Sequence, residues 1–99
     1  MTNEFTIEWP DDFDLDEPII RTKGYFGGLG VRFGGRSHRL TFYDRPRLDQ
    51  EIGDALGAGE PLFFEENLVV VAEVGRGEIL AAVAALARSD FAGLAATRD

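Results

Sequence analysis

The basic residues between Arg21 and Arg47 are the side chains best placed, by type and spacing, to do chemistry. Arg32, Arg36 and Arg39 fall around one expected turn, and Arg45 and Arg47 follow at an expected helix start. Tyr25, Phe26 and Tyr43 lie close to them in sequence. Guanidinium forks grip phosphate, and aromatic faces stack on bases. The set could therefore bind single-stranded nucleic acid or a phosphorylated ligand. The net charge of the chain is −8, and such a field opposes the approach of a polyanion. The arginines have an alternative employment in answering the chain's own acids.

Other motifs begin a known chemistry without completing it. Gly24, Gly27, Gly28, Gly30, Gly34 and Gly35 suggest a phosphate cradle, but a nucleotide loop runs from a strand through glycines into a helix N-terminus. Here the glycines lead into another expected strand. A glycine flap between antiparallel strands, of the kind that covers nucleotide phosphates in kinases, would need a catalytic loop and metal-binding residues that the chain lacks. Asp12, Asp14 and Asp16 copy the first ligands of a calcium loop, yet Glu17 stands where glycine is required and Lys23 where glutamate is. His38 is the single histidine. Its neighbour Ser37 points to the opposite face of the expected strand, so His38 reads as a strand-end residue near the rim. Glu65 and Glu66 sit in an expected turn, where water leaves carboxylates unperturbed. With no cysteine in the chain, thiolate ligands and nucleophiles are excluded. No cofactor or metal is expected, and no catalytic set is assembled.

Charge placement says more than charge total. Residues 1–17 carry seven acids and no base, residues 21–47 seven bases and one acid, and residues 48–99 ten acids and three bases. Blocks of opposite sign meet within a fold or across an interface. The acidic stretch Asp11 to Glu17 sets Phe13 and Leu15 among carboxylates, a pattern suited to meeting a basic protein partner. The expected contact surface is Asp12, Phe13, Asp14, Leu15 and Asp16, joined by Glu65 and Glu66 if the fold brings them close. The competing expectation is that Phe13 and Leu15 fold back while the acids pair with Arg21 or Arg39.

The elements that must position these residues follow from periodicity. Phe5, Ile7 and Trp9 alternate as in a half-buried strand that Pro10 ends. Asp11 to Pro18 reads as an acidic loop and Ile19 to Phe26 as a second strand. Leu29, Val31 and Phe33, then His38, Leu40 and Phe42, form two alternating runs joined at Gly34-Gly35, a hairpin signal. Asp44-Arg45-Pro46 starts a helix with Leu48, Ile52, Ala55 and Leu56 as its stripe, stopped by Gly57 and Gly59. Leu62 to Phe64 reads as a short strand. Leu68 to Val71, an unbroken apolar run, reads as a central strand buried on both faces, followed by a helix from about Glu78 to Ser89. Phe91 and Leu94 should fold back onto the core, and Ala95 to Asp99 should fray. The sum is one α+β domain over residues 1–99. It should contain a mostly antiparallel sheet of five to six strands with two helices packed on one face. The expected core is Trp9, Val31, Leu40, Phe42, Ile52, Leu56, Val69, Val71, Ile79, Val83 and Leu86.

Ninety-nine residues, 44% of them hydrophobic, suffice for one core. No run of about 18 apolar residues offers a membrane span, and the start MTNEFTIEWPDD lacks a secretory pattern. A cytoplasmic protein is expected. Nine of the ten basic residues are Arg, the usage of a GC-rich bacterial genome. Phe13, Leu15, Phe63, Phe64, Phe91 and Leu94 exceed what so small a core can cover, which raises the expectation of a homodimer. The expected function is a small, acidic, non-enzymatic protein-interaction module of the toxin-neutralising, adaptor or assembly-subunit kind; the alternatives are binding of single-stranded nucleic acid or a phosphorylated ligand through the basic Gly/Arg-rich hairpin, and an enzyme with an unrecognised site.

Overall fold

The computed structural model describes residues 4–97. Seven elements follow one another: β1 (Thr6–Glu8), α1 (Phe13–Lys23), β2 (Tyr25–Phe33), β3 (Arg36–Tyr43), α2 (Arg45–Gly57), β4 (Leu68–Val70) and α3 (Arg76–Arg88). The strands form one sheet in the order β1-β2-β3-β4. β1 and β2, and β2 and β3, pair antiparallel, whereas β3 and β4 pair parallel. A parallel pair needs a long crossover, and residues 44–67, including α2, supply it. The fold is thus α+β with a four-stranded mixed sheet and three helices, where the sequence suggested five to six strands and two helices.

The hairpin forms where the alternation places it. Leu29 pairs with Leu40, Val31 with His38 and Phe33 with Arg36. Gly34 and Gly35 turn at φ 58° and 79°, a left-handed pair that only glycine adopts without strain. The register shifts between Phe26 and Leu29, so Gly27-Gly28, two residues opposite the single Thr41, insert one extra residue that realigns the strand. Leu29, Val31, Leu40 and Phe42 are buried with Phe13, Val74, Ile79, Val83, Ala87 and Phe91 in one cluster. Helices α1 and α3 therefore cover one face of the sheet. Tyr25 and Tyr43, paired with each other, alternate to the opposite face, where Arg47 of α2 lies 5.5 Å from the Tyr25 ring. Two helices cover one side and the third begins on the other.

Helix α1 is the main departure from the expected elements, since it replaces both the acidic loop Asp11–Pro18 and the start of the strand Ile19–Phe26. Pro18 lies inside it, at a cost in backbone bonding. The helix persists because Phe13, 1% exposed, plugs the core against Trp9 and Phe26 at ring distances of 4.7 and 5.3 Å. Asp14 and Asp16 in its first turn and Arg21 and Lys23 in its last suit the helix dipole. Gly24 closes it in a left-handed cap, its N–H bonded to the Ile20 carbonyl.

Two further expectations fail on strand placement. Leu62–Phe64 is not a strand, and the apolar run is an edge strand only three residues long, with Val70 exposed. Among the expected core residues, Val31, Leu40, Phe42, Ile79 and Val83 are buried. Trp9, Val69, Val71 and Leu86 pack half-buried against them, Ile52 is half-buried and Leu56 is exposed. α2 has no buried residue, although Asp44 caps it as expected, accepting from the Arg47 N–H at 2.9 Å. Phe91 and Leu94 fold back as expected. Ala95–Thr97 are held by hydrogen bonds, while Arg98 and Asp99, the end of the expected fray, lie outside the described residues.

Candidate functional site

The expected arginine set is not gathered. Arg32, Arg36 and Arg39 stand exposed around the hairpin tip. Arg45 and Arg47 follow the other end of β3, whose run from Arg36 to Tyr43 spans about 23 Å at a strand's rise per residue. Arg47 is also engaged, with Nε 2.9 Å from Glu51 and Nη1 bonded to the Lys23 carbonyl. Arg39 donates to the Gly28 carbonyl at 3.1 Å. Exposed arginines at two ends of a strand do not make one anion cradle.

The acidic residues of α1 divide by the side they face. Phe13 is a core residue and is not available as an anchor. Asp14 accepts from Arg76 at the start of α3, and the Arg76 guanidinium lies 4.3 Å from the Trp9 ring. Glu17 accepts from the Arg76 backbone N–H at 2.7 Å and from Arg21 at 3.3 Å. Arg21 also reaches Glu73 at 3.3 Å and Glu78 at 3.6 Å. Partial desolvation lowers the Arg21 pKa, but the bond and charge of Glu73 and the charges around it outweigh that and hold it above its ordinary value. A Cβ on Gly75 would lie 2.0 Å from the Arg21 guanidinium, so glycine there lets the α3 start close onto the network. Asp12, Asp16, Leu15 and Ile19 face outward. Sequence reading missed Arg76 as the residue that receives the acidic block. Its place as the first base after the base-free block, just before the expected start of the last helix, was the available signal.

Glu65 lies on the far side of the sheet from α1. It accepts from the Tyr43 hydroxyl at 2.5 Å. Burial first, then this hydrogen bond and the charges of Glu65, Tyr25 and Glu51, push the Tyr43 pKa up from its ordinary value. Glu66 is exposed. The two halves of the expected contact surface therefore do not adjoin: α1 packs on the Phe26 and Phe42 face, and Glu65 meets the Tyr43 face.

Next to Glu65 runs a surface of which the sequence reading named only Phe63 and Phe64, as apolar surplus suited to a homodimer. α2 and the segment Glu60–Phe64 form an arm whose large apolar side chains face water: Leu56 is 50%, Leu62 60% and Phe64 79% exposed. Between helix and segment lies a groove of about 490 Å³, lined by Ala55, Leu62, Phe63 and Phe64 with Glu51, Asp54 and Glu60 among its residues. No base occurs from Leu48 to Gly75, against seven acids. That base-free block around Leu62-Phe63-Phe64 was the signal in the sequence.

His38 and Asn67 perform structural work. His38 is 2% exposed, stacks on Phe91 at 5.0 Å and donates from Nδ1 to the Ala95 carbonyl at 3.0 Å. It is a core residue, deeper than the expected rim position, and its Nε2 has no partner among the described residues. Asn67, at φ 55°, donates from its amide to the Arg39 and Ala95 carbonyls and accepts from the Ala95 N–H at 2.8 Å. Its side chain thus stands in for a strand bond and pins the C-terminal segment beside β3. Among the described residues no three His, Cys, Asp or Glu converge as metal ligands, and no helix is long and apolar enough to cross a membrane. Comparison of the chain with protein-family models, curated proteins and solved structures found no match.

Proposed function

We propose that this chain is a small protein-interaction module, of the toxin-neutralising, adaptor or assembly-subunit kind, that engages a protein partner through the α2–Phe64 arm. The observation carrying this reading is the outward placement of Leu56, Leu62 and Phe64 on contiguous chain. Large apolar side chains clustered in water are costly unless a partner covers them, and aromatic anchors dominate binding energy when they are covered. A second copy of the chain is a less suitable cover. The arm, residues 45–64, carries four acids and two bases, so two arms brought together would repel.

The test pairs wild-type chain with a Leu62→Ser/Phe64→Ser variant, both checked for folding by circular dichroism. Each is immobilised against extract of the native host, and any retained protein is then purified and its binding measured by calorimetry. A partner that binds wild type and is lost in the variant supports the reading. Equal binding to both, or to neither, overturns it. Light scattering gives the oligomeric state: 10.9 kDa is the expected mass, and a stable dimer lost in the same variant would make the partner a second copy.

A further inference from the structure

Resting on that reading, we infer that the occupant of the arm's groove is a basic, apolar-anchored peptide segment of a protein partner. The lining of the groove combines two chemistries. Ala55, Leu62, Phe63 and Phe64 supply apolar contact, and Glu51, Asp54 and Glu60 supply carboxylates on the same lining. Only Glu51 of those three has an ion pair among the described residues, to Arg47 at 2.8 Å. Asp54 and Glu60 are exposed. An acidic or neutral occupant would leave these carboxylates unanswered beside a contact, whereas Lys or Arg would meet them and speed association. The contrast with α1 sharpens the point. There, Asp14 and Glu17 already have Arg76 and Arg21, so their charge is spent within the fold. On the arm Arg47 answers Glu51 alone, and cations for Asp54 and Glu60 must come from outside.

A display selection of random peptides of about 16 residues, roughly 24 Å if helical, against the immobilised full chain tests this. Selected peptides should combine Arg or Lys with Leu, Phe or Trp. Binding should fall about tenfold or more in an Asp54→Lys/Glu60→Lys variant and weaken with salt. It should be lost in Leu62→Ser/Phe64→Ser. The control is Asp12→Lys/Asp16→Lys on α1, which changes total charge equally; an equal loss there would reveal diffuse attraction and overturn the inference. Neutral or acidic peptides that still depend on Leu62 and Phe64 would also overturn it while leaving the docking arm in place. Peptides indifferent to Leu62 and Phe64, or none at all, would overturn the docking arm as well.

Discussion

The junction of α1 with α3 and the arm of α2 are both acidic, yet they resolve their charge in opposite ways. At the junction, Asp14, Glu17, Glu73 and Glu78 surround Arg21 and Arg76, and Phe13 is driven into the core beneath them. On the arm, Arg47 answers only Glu51 among the described residues, Asp54 and Glu60 have no ion pair, and Leu56, Leu62 and Phe64 stay outside. The composition of the two stretches is similar, carboxylates interleaved with Phe and Leu. Acidic and apolar content therefore does not mark a docking surface by itself. What distinguishes the arm is that Asp54 and Glu60 have no cation among the described residues and that Phe64 lies outside the core. A block whose charges are answered internally contributes to stability, and a block left unanswered is free to contribute to binding.

Four measurements bear on that contrast. Phe13→Ala should cost the most, about 3–5 kcal/mol in denaturant unfolding, because it empties the space between Trp9 and Phe26; a cost below about 1 kcal/mol would mean the junction is not anchored there. Glu17→Ala should cost about 1–2 kcal/mol, since it strips the α3 start of its acceptor and Arg21 of a partner, and Glu17→Gln should recover part of it. Tyr43 links the arm to the sheet and makes that link pH-dependent. Its pKa is raised in the folded chain, so the stabilisation is fully present below the ordinary phenol value of about 10 and is lost as pH rises beyond it. Unfolding curves should weaken above about pH 10, and Tyr43→Phe should flatten that slope. The smallest effect belongs to Leu62→Ser/Phe64→Ser, within about 0.5 kcal/mol of wild type. A loss comparable to Phe13→Ala would show that the arm is internal structure, and the contrast would collapse.

Elements governed by neighbours in sequence were legible from sequence. The β2–β3 hairpin follows from two alternating runs and a turn needing positive φ at Gly34 and Gly35. α2 follows from an Asp44 cap, Pro46 in its first turn and a stop at Gly57. α3 begins two residues before its expected start because Glu17, 59 residues earlier in the chain, accepts the Arg76 N–H. α1 carried helix signals at both ends, Asp12 before it and Gly24 after it, but Pro18 and the acids argued locally for a loop.

Tertiary structure decided what local rules do not reach. The burial of Phe13 outweighed the cost of Pro18, and only the assembled core supplies that burial. The apolar run at Leu68 became an edge strand because periodicity reports that side chains favour burial without saying which strands lie alongside. The same limit applies to charge. The sequence by itself determined that an acidic block precedes a basic one and that another base-free block follows. Which carboxylates found cations depended on Arg76 reaching Asp14 and Glu17 across the α1–α3 junction, the Glu17 contact joining residues 59 positions apart in sequence.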